Sequence, residues 1–463
     1  MSNSLDENSL YDWLDRHHVD VVRTHATTLD GIGVGKYVHR NKFTKTLPRG
    51  HAIADMALTQ DIGGTPHLTF WHEQRQAAFG DIHMQPDLAT LVSDGTDKRL
   101  GHCIADFVTD AGEPMALCPR STLKRMVSNL TADGFEMKAT FELEFYLFGE
   151  SFDSIRRKKY QNLQGASASS LANIYLLRNA YHGTRFMDEV IKRLEWKGIA
   201  WEGWNDEAGV GQIELNLEPT DPVSAADNVV RTKQILYEVA VDMEFAVTFM
   251  SKLSGTYGNG MHIHHSLSRD GISAFFDATS DDNRSGIMRH WLAGLVDTLP
   301  GAVSFLCPTI NSFRRMTDFS AVPTTSDWGE QNKSTALRTI SDSAAASRIE
   351  YRIGAGDLNP YLALAVIIAG GMTGLERQLP LPAEFTGLAW GLPDGYPRLP
   401  NTIMKAVEAA NASEALKHWL GEDFVSYWTK TRELEWLAFH TEGGDPASKS
   451  PTLWEFERYF ALI

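Results

Sequence analysis

Several things are missing from this sequence, and each absence narrows its function. Cysteine is scarce: Cys103, Cys118 and Cys307 are odd in number and have no CxxC spacing. That excludes a disulfide framework and fits a reducing cytosol. No apolar run approaches the roughly 18 residues of a membrane span, and Tyr361–Gly371 reads as a short buried helix. The opening MSNSLDENSLYDWLDRHH has acids but no apolar core, so no signal peptide is expected. A basic excess is also missing. The 43 Lys and Arg stand against 59 Asp and Glu, a formal net charge of −16. Such a field disfavours a nucleic-acid or anionic-membrane partner and favours a cationic small substrate. Repeats and low-complexity tracts are absent too. A hydrophobic content of 43% with 22% charged residues is that of an ordinary globular protein, with length enough for two or three domains.

What is present is a polar pattern carried on short strands. Phe141–Phe148 reads FELEFYLF, and successive side chains of a strand point to opposite faces. Phe141, Leu143, Phe145 and Leu147 then share an apolar face, with Glu142, Glu144 and Tyr146 on the other. Two carboxylates about 7 Å apart on one strand face repel unless something positive sits between them. Alone, the stretch also fits the solvated outer face of an antiparallel sheet. Three more stretches repeat it. Gly211–Leu217 sets Gln212, Glu214 and Asn216 against Ile213, Leu215 and Leu217. Met261–Leu267 sets His262, His264 and Ser266 against Met261, Ile263 and Leu267. Arg348–Ile353 sets Arg348, Glu350 and Arg352 against Ile349, Tyr351 and Ile353. Four solvated faces would carry Lys, Thr and Ser, with few His and few isolated acids. One curved sheet whose polar concave face lines a metal and phosphate site accounts for all four.

Along the chain, Ser9 is expected to cap a helix over Leu10–Arg16. The runs VDVVRTHATT, GVGKYVH, HAIADMAL and PHLTFW, broken by Gly and Pro, read as a small, mostly β domain. Asp110–Pro119 reads as a linker, and Ser121 as the cap of a helix over Thr122–Ala132 that stops at Gly134. Ser151–Ser170, with its basic run Arg156–Lys159, is either a solvated loop or a lid. Asp221-Pro222 starts a long amphipathic helix to about Phe245. A helix is expected over Gly286–Leu299, a loop-like polar stretch over Asn311–Ala346, and helices from Thr402 onward, the last begun by Ser450-Pro451. Asn359-Pro360-Tyr361 ends a loop and starts a helix.

FELEFYLF, EAGVGQIEL, GNGMHIHHSL, NSFRR and RIEYRIGAGDLNPYL, in this order, resemble the signature blocks of the glutamine synthetase family. They resemble in particular its bacterial γ-glutamylamide and γ-glutamylpolyamine synthetase branch. Five ordered blocks are a specific signal where one would be weak. The resemblance implies an α+β fold, with an N-terminal β-grasp-like domain over 1–110 and a catalytic domain over 111–463. The catalytic domain would hold a curved antiparallel sheet, a half-barrel flanked by helices. The implied reaction uses ATP to phosphorylate the γ-carboxylate of L-glutamate, after which a nitrogen nucleophile displaces phosphate. That chemistry needs positioning and charge neutralisation, here from two to three Mg2+ (or Mn2+) ions.

By resemblance, Glu144, Glu207 and Glu214 hold one ion, and Glu142, His262 and Glu350 another. Carboxylate-rich ligation suits Mg or Mn. HxH alone would also suit zinc, but six such positions exceed zinc's usual four. Arg315 matches the arginine that pairs with the glutamate α-carboxylate, with Glu144, Glu207 and Gly258 beside the same substrate. Arg338 and Arg352 match those that neutralise the transferring phosphoryl group. His264, Ser266, Lys333, Arg338 and Arg348 match ATP-side positions. Asp55 matches the ammonium-site aspartate that a neighbouring subunit supplies, which implies a cytoplasmic homo-oligomer, a dodecamer of two stacked hexameric rings.

The departures from the family pattern speak to substrate. Glutamine synthetases carry a flap glutamate six residues after the Arg315 position, and this chain has Ala321 there. Loss of the acid that binds and deprotonates ammonium points to a small primary organic amine. Phe313, Phe319, Tyr175, Tyr181 and Trp328 are candidates for the walls of an apolar amine pocket. The flap region is only weakly acidic, which argues against polyamines. Lys333 replaces an arginine and Ala345 a basic residue on the nucleotide side. The alternatives are an ammonia-using glutamine synthetase, against which Ala321 argues, and a non-catalytic member, against which the six ligand positions argue.

Overall fold

The computed structural model describes residues 7–67, 80–95, 99–171, 173–255, 257–390 and 397–463. Most of the expected strand PHLTFW, from residue 68, lies outside them. Two sheets organise the chain. The first runs, edge to edge, through Gly33–His39, Val21–Thr27, Leu100–Val108, Asp81–Pro86 and His51–Ala54, with Val92–Ser93 attached to Leu100–Val108. Val21–Thr27 pairs in parallel with Leu100–Val108.

The second sheet curls into a half-barrel. Its order is Trp328–Glu330, Leu337–Ile340, Arg348–Tyr351, Met261–Arg269, Glu136–Phe148, Gln212–Leu217 and Trp201–Asp206. Ala246–Thr248 and Ile272–Ser273 pair alongside. The sheet is antiparallel except at one edge, where Trp328–Glu330 and Leu337–Ile340 run parallel. The alternation read from sequence is realised: Phe141, Leu143, Phe145 and Leu147 are buried on the convex side, with Ile213, Leu215, Met261 and Ile263.

Helices cover that convex side. Pro222–Asp242 starts where the Asp221 carboxylate accepts from the N–H groups of Val223 and Ser224, at 3.1 and 3.0 Å. Pro360–Arg377 is longer than the expected Tyr361–Gly371 and is buried over its first four turns. Asn359 caps it by accepting from Tyr361 and Leu362. It lies against Gly286–Leu306 with glycines at the crossing: a methyl group on Gly294, Gly370 or Gly374 would overlap atoms of the facing helix. No helix among the described residues is long and apolar enough to cross a membrane.

A buried ionic network ties these helices to the first sheet. Arg120 donates to both oxygens of Asp227 at 2.8 Å, to Asp106 at 3.1 and 3.3 Å and to Asp87 at 2.9 Å. Lys124 also reaches Asp106, at 2.6 Å, and the Tyr361 hydroxyl donates to Asp227 at 2.6 Å.

Some local expectations fail for physical reasons. The first described helix begins at Glu7, so Ser9 lies within it. The helix expected from Ser121 starts at Pro119, whose missing N–H costs nothing in a first turn. Gly286–Leu306 runs through Pro300, because burial of Ala302, Val303, Phe305 and Leu306 outweighs the interrupted backbone bond. Ser151 caps a short helix, Phe152–Arg157, inside the stretch read as irregular. The stretch Asn311–Ala346 holds two strands of the half-barrel. Thr452, beyond Ser450-Pro451, caps the last helix in a capping box with Glu455.

Candidate active site

The register of the half-barrel brings the polar residues of its concave face into rows. Glu142 faces His262 on one side and Asn216 on the other. Glu144 lies directly opposite Glu214, and Glu350 stands between His264 and Arg338. Like charges directly opposite across strands destabilise a sheet, so the pairing of Glu144 with Glu214 is a structural cost.

Around Glu142 the groups close up. Its carboxylate accepts from His262 Nδ1 at 3.0 Å and from His264 Nε2 at 2.9 Å. Glu350 accepts from Arg338 at 2.9 Å and from Arg352. Glu144 accepts from the Gly260 N–H at 2.6 Å and from Gln212 at 3.2 Å, while Asn216 donates to Glu214 at 3.3 Å. Glu207, on the loop before Gln212–Leu217, accepts from the neighbouring Ala208 N–H at 2.9 Å.

The electrostatics follow. Burial, with the charges of Glu142 and Glu144, pushes the Glu214 carboxyl up to about 8. Burial and Glu144 raise Glu207 as well. Glu142 goes the other way: burial opposes the change, but the hydrogen bonds from His262 and His264 hold it far below the usual range. Glu350 is lowered against its burial, chiefly by Arg352. His262 is raised: burial and Arg352 oppose this, and the Glu142 carboxylate prevails. Burial and neighbouring acids thus disfavour the charged forms of Glu214 and Glu207, and a cation placed among them would reverse that. Two groups, Glu142–Glu214–His262 and Glu142–His264–Glu350, each bring three ligand atoms within 4.8 Å of one another. Carboxylate oxygens and imidazole nitrogens at that spacing fit a divalent cation.

Residues 116–459, which include every strand of this face, match the family model of the glutamine synthetase catalytic domain. The chain belongs to the glutamine synthetase family. It is 28% identical over 465 residues to the glutamate–isopropylamine ligase of a Pseudomonas species, covering 98% of this chain and 97% of that one. It is also 28% identical to type-1 glutamine synthetase 2 of Dictyostelium discoideum, over 96% and 84% of the two chains. Ligand-free GmaS shares the fold at a TM-score of 0.82 and 23% identity, covering 97% and 98% of the two chains.

Within this glutamine synthetase fold the other expected site residues fall into place unevenly. Arg315 donates to the Ile353 carbonyl at 2.8 Å, and its Nη2 crowds the face of Gly260 together with Glu144 Oε1. Gly258 packs so tightly that a methyl group there would overlap the Ser251 carbonyl. A cavity of about 480 Å³ opens beside Glu142, lined among others by His264, Ser266, Arg348 and Ala345. His264 serves both regions, because its Nδ1 accepts from Arg348 at 3.4 Å. Lys333 lies on an open surface beside Gln331, which accepts from Arg338 at 2.7 Å. Asp55 stands on the other sheet, where His51–Ala54 meets the short helix Met56–Thr59, and is buried there.

The two groups divide the acids differently from the expected sets. Glu142 and Glu214, expected on separate ions, stand in one, and His264, expected only at the nucleotide, joins the other. Of the five aromatics, Phe313 and Trp328 are core. Phe319 and Tyr181 are exposed. Tyr175 is exposed as well, and partial desolvation together with the charges of Glu207, Glu214 and Glu142 raises its phenol. Gln212 is a site residue that sequence reading passed over. It ties Glu144 to the Gly258 carbonyl at 3.1 Å and to the Asn259 side chain at 3.0 Å. Its place beside Glu214 on the polar face of GQIELNL was the available signal.

Proposed function

We propose that this enzyme uses ATP to join the γ-carboxylate of L-glutamate to a small primary organic amine, through a γ-glutamyl phosphate. The single observation that carries the choice of amine is Ala321: the flap after Arg315 presents a methyl group where ammonia chemistry needs an acid. Ala321 is exposed and adopts a positive φ of 63°. Within the flap Asp318 accepts from Arg398 at 2.9 and 2.6 Å. The flap joins Arg315 through the Ser320 hydroxyl, which donates to the Arg315 carbonyl at 2.9 Å.

In this reading Arg315 holds the glutamate α-carboxylate, with Glu144, Glu207 and Gly258 around the same substrate. The cavity lined by His264, Ser266, Ala345 and Arg348 takes the nucleotide, and Lys333 adds positive charge at its outer side. Glu142, Glu144, Glu207, Glu214, His262, His264 and Glu350 would hold the divalent cations, Mg2+ or Mn2+, which supply charge neutralisation on phosphate oxygens when bound. Arg338 and Arg352, kept at the concave face by Glu350, neutralise the phosphoryl group as it moves from ATP to the γ-carboxylate. The amine nitrogen then attacks the acyl carbon, phosphate leaves, and the amine gives up a proton. Asp55 is the group we assign to that proton. In this reading it comes from a neighbouring subunit, as in a dodecamer of two hexameric rings whose residues 1–110 act as a separate domain.

The test is phosphate release with ATP, glutamate and Mg2+ over a panel of isopropylamine, methylamine, ethanolamine, aniline, putrescine and ammonia. One alkylamine or arylamine should exceed ammonia by at least tenfold in kcat/KM. Ammonia as the best substrate would return the chain to the glutamine synthetases proper.

A further inference from the structure

A second cavity, of about 380 Å³, lies away from the acids, between the first sheet, the helix Pro222–Asp242 and residues 461–463. Val230, Val247, Phe249 and Leu462 give it an apolar wall, and Lys233 reaches it from the helix. The Lys233 ammonium donates to the Gly356 carbonyl at 2.7 Å and lies 4.7 Å over the Phe249 ring centroid. None of the ion pairs among the described residues includes it. An ammonium has three donors, and a buried cation without a counter-ion is costly. Burial accordingly pushes this lysine down to about 8, against the pull of Asp357. The other cation at the cavity, Arg23, is neutralised by Glu238, which also accepts from Gln234 at 2.8 Å. His25 Nδ1, also at the cavity, is buried without a hydrogen-bond partner. The cavity therefore combines an apolar wall, one uncompensated positive charge and an unused polar atom.

We infer that this cavity is a binding site for a small organic carboxylate, whose anion meets Lys233 and whose apolar body lies against Val230, Val247 and Phe249. The site adjoins the glutamate side of the enzyme by a short route. The Gly356 N–H donates to the Asn259 carbonyl at 3.0 Å, Gln212 donates to the Asn259 side chain at 3.0 Å, and Gln212 donates to Glu144 at 3.2 Å. A carboxylate that draws Lys233 from Gly356 loosens that support. The consequence, which rests on the ligase reading above, is a changed KM for glutamate.

Calorimetric titration of the full-length protein with 4-methylpentanoate and with its uncharged isostere, 4-methylpentanamide, tests binding without turnover. The acid should bind at least tenfold tighter than the amide, and Lys233→Met should remove that preference. Gly33 lines the cavity, and a side chain there would meet no atom within 4 Å. Gly33→Phe should therefore fill the cavity and abolish binding, with turnover in the absence of acid kept within twofold. Equal binding of acid and amide, no binding of either, or acid binding that survives Gly33→Phe overturns the site. Binding as expected with an unchanged glutamate KM overturns the coupling alone.

Discussion

Two clusters of charge in this molecule are built on opposite terms. Around Arg120 each of three acids meets a cation: Asp227, Asp106 and Asp87 pair with Arg120, Lys124 also reaches Asp106 and Asp87, and Tyr361 donates to Asp227. Asp87 is lowered there against its burial, chiefly by Arg120. On the concave face Glu144 looks straight at Glu214, and Glu214 is pushed up to about 8 by burial and its acidic neighbours. The acids of the first cluster are paired within the protein and hold helices to a sheet. The second is incomplete, and groups kept at odds with their surroundings mark where a protein binds something.

The largest test of this contrast removes the carboxylate common to both candidate ligand groups. Glu142→Ala should lower kcat/KM by at least about 10⁴-fold, about 5 kcal/mol in the barrier, with an unchanged far-UV circular dichroism spectrum. Activity within tenfold of wild type would move the site elsewhere. Next comes the paired cluster: Asp227→Ala takes from Arg120 the most buried of its three acids and from Tyr361 its acceptor, and should destabilise the fold by about 1–3 kcal/mol, read as a lowered Tm. A Tm equal to wild type would show that the pairing holds nothing together. Ala321→Glu should shift the ratio of kcat/KM for ammonia over amine toward ammonia by about tenfold, about 1.4 kcal/mol. An unmoved ratio would place selectivity in another segment, with 151–170 the first to examine.

The smallest effect has the most specific sign. Glu214→Gln, in protein stripped of metal by a chelator, should raise Tm by about 1–3 °C. The Glu214 carboxyl is held at about 8 against an ordinary 4.5. Between those values the folded chain binds more protons than the unfolded one, so its stability falls as pH rises. The gain from the substitution should therefore be larger at pH 8.5 than at pH 6. A loss of Tm at both would mean that Glu214 is compensated after all.

The concave face was legible because a strand's period of two is local: each of the four stretches displayed its polar side without knowledge of its neighbours. Which acids share a group was not legible, because that depends on register. Pairing Glu142 with His262, and Glu144 with Glu214, is set by contacts far apart in sequence. The strands Trp328–Glu330 and Leu337–Ile340 escaped for a related reason. Each is only three or four residues long, too short to show an alternation, and their pairing partners supply what their composition does not. Pro300 misled because a local rule against proline in helices met a buried apolar segment that continued past it. Aromatic residues were the least informative class. Trp328 and Phe313 are core while Tyr175 faces the acids, and the same ring chemistry serves both places.

The crossing of Gly286–Leu306 with Pro360–Arg377 has a consequence for how this chain can diverge. Gly294, Gly370 and Gly374 let two backbones meet where no side chain fits, so the helices cannot separate without losing contact along their length. Substitutions there should be as poorly tolerated as those among the acids, although these glycines lie on helices and not on the concave face. Substitutions should be better accommodated in the flap and the open loops than in this wall behind the sheet.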